Sequence, residues 1–145
     1  MAKKLATITI VVIWITLVAA VAVFIAIPWL PKLALFSEFT HYVPTVIGFY
    51  VGMGGGIWLV IEFLRIMNTV RRETPFVYSN VSSLKHICIC CVISSAAIIF
   101  IECFDFSLTL LICVGILMFG FLCALVLSLL WEKAVTYKQE NDMTV

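Results

Sequence analysis

Glu62 and Arg65 stand three residues apart near the end of a long apolar stretch. An ionisable group at membrane depth is costly, and so marks a site for proton or substrate passage. The same spacing also puts both side chains on one helix face, where a simple ion pair accounts for them. A second set, Glu102 and Asp105 with Glu38 and His41, offers oxygen and imidazole donors for a divalent cation or a basic peptide, if two separate loops converge. The alternative is a group of solvated charges that end helices. A third set is His86, Cys88, Cys90 and Cys91, in which His86 and Cys90 have the spacing of two ligands on one helix turn. Zinc sites more often gather their ligands in loops and turns, and cysteines buried in apolar helices are inert. No catalytic residue, cofactor site or metal site is assigned. The chain has no Walker loop, no His-Glu-x-x-His and no nucleophile elbow, so a non-enzymatic protein is expected.

The elements that position these residues follow from composition. Of the 145 residues, 64% are hydrophobic and 12% charged, against roughly 45–50% and 25% in soluble domains. One small globule cannot hide that much apolar surface, so lipid is the expected solvent. A net charge of +1 gives no basic field, and direct nucleic-acid binding is disfavoured. The six cysteines fall almost wholly in apolar runs and read as small hydrophobes without disulfides.

Four spans are expected, at about 5–30, 43–66, 83–104 and 107–138, in one membrane domain with a tail at 132–145. The first run is too long for a signal-peptide core, although Ala20-Val21-Ala22 mimics a cleavage site. Eight of the nine Lys and Arg residues fall on one side and only Lys32 on the other. The positive-inside rule then puts both termini in the cytoplasm. The fold class is all-α: a four-transmembrane-helix bundle, N-in and C-in.

Small residues suggest how the helices meet. Gly48, Gly52 and Gly56 recur every four residues in the second span, with Gly54 and Gly55 widening the stripe, and Gly120, Ala124 and Ser128 repeat the pattern in the fourth. Such stripes let backbones approach where lipid supplies no hydrophobic drive. Packing within the chain is the expected use, and a homodimer the alternative. In the loop at 71–86, Pro75 should stop the second helix, and Ser79 or Asn80 should cap the third. Phe76, Tyr78, Val81 and Leu84 would lie against the membrane interface, and the fourth helix would fray after about Lys138.

Loop and tail together carry a resemblance. Thr74-Pro75-Phe76, the helix start at Ser79-Asn80-Val81, an acidic residue near the outer end of the third span, and the terminal Gln139-Glu140-Asn141-Asp142-Met143-Thr144-Val145 resemble the small four-helix bacterial membrane proteins of the uncharacterised YoaS-like family. The similarity covers essentially the whole chain, with Met143 where leucine is usual. It implies a bacterial cell-membrane protein whose relatives are often encoded beside a small helix-turn-helix regulator of the Cro type. Pro75, Phe76, Asn80, Glu140, Asp142, Thr144 and Val145 would then dock such a cytoplasmic partner. The expected function is a membrane regulator or sensor; the alternative is a small transporter or an immunity-type membrane protein.

Overall fold

A computed structural model of the chain describes residues 2–32, 41–72 and 74–144. Helix α1, Ala2–Ala26, passes into a 3-10 segment, Ile27–Lys32; α2 is Tyr42–Arg71, α3 is Tyr78–Glu102 and α4 is Leu108–Met143. All four α-helices are long and apolar enough to cross a membrane. In lipid a helix is favoured because it satisfies every backbone polar group within the segment.

Pro28 explains why α1 stops short of the expected Leu30. Its ring clashes with the carbonyl four residues back, so the chain tightens into the 3-10 turn. The other helices run beyond their apolar cores. Helix α2 continues through Met67-Asn68-Thr69-Val70 to Arg71, α3 begins at Tyr78, and α4 holds to Met143. Val77, not Ser79 or Asn80, occupies the N-cap of α3, without a side-chain cap bond. Hydropathy marks where a helix crosses lipid, not where its hydrogen bonding ends.

The helices pack in chain order as an open row. Close backbone approach joins α1 to α2, α2 to α3 and α3 to α4, and among the described residues no such approach joins α4 to α1 or α2. Helix α3 is the core of the row: half of its most apolar stretch is buried, against 6% for α4. It keeps two small-residue faces. Cys90, Ser94, Ala97 and Ile101, spaced near 3.6, meet α2. The other face meets α4, where Cys88 Sγ lies 3.9 Å from the Phe121 carbonyl oxygen, and Ala124 and Ser128 are buried. Ile66, Leu84, Ile87, Cys88, Cys91 and Ala124 form one core cluster, with Leu59, Phe121 and Trp131 packed against it. Val81 and Leu84 are therefore core residues, not interfacial ones, 3% and 7% exposed.

The glycine stripe on α2 is Gly48, Gly52 and Gly55. A Cβ on Gly48 would run into the Ile101 side chain, and one on Gly55 into the Ser94 hydroxyl. Gly52 faces the Ala97 methyl at 3.7 Å, and its carbonyl accepts the Ser94 hydroxyl at 3.1 Å. A Cβ on Gly54 or on Gly56 would meet nothing within 4 Å, so neither belongs to the stripe. At 3.6 residues per turn, a step of seven stays about 20° from the starting line, while a step of eight drifts about 80°. Gly56 accordingly leaves the interface and Gly55 takes its place. On α4, a Cβ at Gly120 would reach Cys91 Sγ at 4.0 Å, so the stripe there does face α3.

Candidate functional site

At the end of the row nearer the chain termini, Glu62 points from α2 toward α3 and is only 1% exposed. Spacing on its own helix supplies two partners. Trp58, one turn before, donates from Nε1 to Glu62 Oε1 at 3.1 Å, and Arg65 donates to the same oxygen at 3.1 Å. The third comes across the interface: His86 Nδ1 lies 3.1 Å from Oε1. A carboxylate only accepts, so with Glu62 ionised the Nδ1 of His86 carries the hydrogen. The Ser83 hydroxyl, one turn before His86 and itself buried, also lies against the carboxyl group. Oε2 is sealed from solvent and makes no hydrogen bond within normal limits. The arrangement is lopsided, with three donors on one oxygen and none on the other.

The expected Glu62–Arg65 pair is thus present, but it is one part of a five-residue cluster. Trp58 escaped sequence reasoning, although its four-residue spacing to Glu62 is a usable signal; His86 and Ser83 carry no such signal, because only the α2–α3 crossing brings them in. Arg65, Trp58 and His86 keep much of their surface open, so the carboxylate is buried under groups that reach outward.

One turn beyond the cluster a second network ties three elements together. Asn80 is 1% exposed. Its Nδ2 donates to Thr69 Oγ1 at 2.6 Å and to the Pro75 carbonyl at 2.7 Å, and Trp131 Nε1 of α4 donates to that same carbonyl at 2.9 Å. The Pro75 carbonyl is therefore a junction between α3 and α4. Phe76 packs on Trp131 with ring centroids 5.8 Å apart, Tyr78 and Thr136 place their hydroxyls 3.5 Å apart, and Lys85 pairs with Glu132 at 3.2 Å. Val135 is 2% exposed beneath this loop. Of the residues expected to dock a partner, Asn80 is spent inside the molecule and the Pro75 carbonyl is already occupied. Phe76, Glu140, Asp142 and Thr144 remain exposed, and Val145 lies outside the described residues.

At the opposite end, two of the expected acidic residues do different work. Asp105 Oδ2 accepts the His41 backbone N–H at 3.0 Å and lies 3.4 Å from the Thr45 hydroxyl, while Oδ1 lies 3.3 Å from His41 Nδ1. Asp105 thus caps the start of α2 from the α3–α4 turn, where a negative charge favours the helix dipole. Glu102 Oε2 accepts the Ser107 backbone N–H at 3.1 Å, at the start of α4. Glu38 lies outside the described residues. His86 turns to Glu62, Cys90 to Gly55 and Cys91 to Gly120, so the His–Cys set divides between two helix faces. Among the described residues no three His, Cys, Asp or Glu side chains gather as a metal site, and all six cysteines are free.

No curated protein and no solved structure matches the chain. Residues 32–145, a stretch holding α2, α3 and α4 and hence both polar clusters, match the family described as Protein of unknown function (DUF2975), and the chain belongs to that family.

Proposed function

We propose that the chain is a non-enzymatic, multi-pass cell-membrane regulator or sensor, with both termini in the cytoplasm, that displays the end of α4 to a cytoplasmic partner. The observation that carries this reading is the length of α4. Its 36 residues run about 54 Å, against roughly 30 Å of hydrocarbon. The surplus is a polar helix with Tyr137 70% exposed, braced at its root by Trp131, Val135 and the 74–78 loop. An isolated helix this short is marginal in water. Continuity with a transmembrane helix and a brace from the loop remove that difficulty, and an ordered polar helix is a surface to be read.

Orientation rests on charge: Arg65, Arg71, Arg72, Lys85, Lys133 and Lys138 all sit toward the end that carries the termini, the pattern of a cytoplasmic face. The resemblance to the YoaS-like proteins suggests what the partner is, a small helix-turn-helix regulator docking on the exposed Phe76, Glu140, Asp142 and Thr144. The runner-up, a small transporter or immunity-type protein, has the buried carboxylate of Glu62 in its favour. Cross-linking in native membranes followed by pull-down tests the reading. A DNA-binding protein should come with the full chain and be lost on deletion of 139–145, with insertion unchanged. Equal recovery by the truncated chain would refute the docking role of the tail.

A further inference from the structure

The lopsided carboxyl group of Glu62 points to a function of its own. We infer that Glu62 is a proton-binding site, that the proton settles on Oε2, and that its arrival frees Arg65 from the protein for the phosphates of the surrounding lipid. Oε1 already faces the N–H groups of Trp58, Arg65 and His86, so a proton placed there would displace at least one of them. Oε2 has no such competitor. The Ser83 hydroxyl lies against the same carboxyl group and can rotate to accept a hydrogen bond from the acid.

The charge balance is local. The ionisable groups facing Glu62 are Arg65 from α2 and His86 and Cys90 from α3. Helix α1 carries no ionisable side chain between Leu5 and Ala26, and α4 does not approach α2 closely. When Glu62 takes up a proton from water, the one negative charge of the cluster is gone. Arg65, whose side chain is 64% exposed, then keeps only a neutral acceptor. A guanidinium at membrane depth prefers the anionic headgroups to that partner. Protonation therefore exchanges a contact within the protein for a contact with lipid, two helix turns from the Thr69–Asn80–Pro75 junction.

This supplies an input to the regulator proposed above and rests on that reading only for its consequence. Infrared difference spectroscopy reads the carboxyl group itself, whereas partner recovery reads the regulator, so the two fail separately. The full chain in anionic lipid vesicles would be taken from about pH 8 to about pH 4, a range that spans carboxyl and imidazole titration. A carbonyl band of a buried protonated acid should appear, exchange slowly in deuterated water, vanish in Glu62→Gln and persist in Glu102→Gln. In Ser83→Ala the band should shift in frequency, because the acid loses its acceptor. A band that survives Glu62→Gln, or no such band at all, overturns the proposal. Should Glu62→Gln fail to fold, an unshifted band in Ser83→Ala overturns it instead.

Discussion

Each end of the helix row holds a buried carboxylate against a histidine, Glu62 with His86 at 3.1 Å and Asp105 with His41 at 3.3 Å. The two differ in how the rest of the carboxylate is used. Asp105 engages both oxygens, one of them on the backbone N–H at the start of α2, so it closes a helix end that would otherwise lack an acceptor. Glu62 loads one oxygen and leaves the other dry. A buried polar atom without a partner is uncommon and calls for a reason. A fold needing only an α2–α3 bridge has cheaper ones, as the Ser94 bond to the Gly52 carbonyl shows. On the proposal above, Asp105 serves architecture and Glu62 takes the proton. The dry oxygen alone does not decide this, since Glu102 Oε1 shares it; the contacts of Glu62 to Arg65 and His86 set it apart.

The largest expected effect breaks both ends at once. Gly48→Leu and Gly55→Leu should each cost about 3 kcal/mol or more, or prevent folding, because overpacking drives α2 from α3 where their backbones meet. Gly56→Leu should stay within about 0.5 kcal/mol. Thermal unfolding in detergent separates the three, and equal losses would mean that the stripe is wrongly placed.

Asp105→Ala comes next. It strands the His41 N–H, a loss of about 1–3 kcal/mol read as a lowered Tm, while the Thr45 hydroxyl keeps its bond to the His41 carbonyl at 2.6 Å. Glu62→Gln should cost no more than about 1 kcal/mol, since removing a charge that is only half satisfied offsets part of the loss. A larger loss for Glu62→Gln than for Asp105→Ala would reverse the assignment. The smallest effect belongs to the half-exposed pair of Lys85 and Glu132. A double-mutant cycle to alanine should give a coupling of about 0.5 kcal/mol or less, fading with salt.

What was legible in the sequence follows the range of each interaction. Four helices long and apolar enough to cross a membrane are visible because the apolar runs are long, so one-dimensional hydropathy suffices. The helix ends at Arg71, Tyr78 and Met143 lie a turn or more beyond the apolar runs, since polar residues continue the hydrogen bonding without an apolar signal. Counting in fours runs the stripe through Gly56 with Gly55 at its flank, whereas a helix that turns in 3.6 puts Gly55 in the interface and Gly56 outside it. Arg65 could be placed beside Glu62 from spacing alone. His86, Ser83 and the Asn80–Pro75–Trp131 junction depend on how three helices cross, which no local pattern encodes.

The proposed division of labour between the two carboxylates is tested most directly by measuring Glu62→Gln and Asp105→Asn side by side, for Tm in detergent and for recovery of the proposed cytoplasmic partner from cross-linked native membranes. The account predicts that Glu62→Gln changes partner recovery several-fold at nearly unchanged Tm. Asp105→Asn should lower Tm and leave recovery per folded molecule as in the original chain. Partner recovery that follows Tm in both variants, or is untouched in Glu62→Gln, would contradict it.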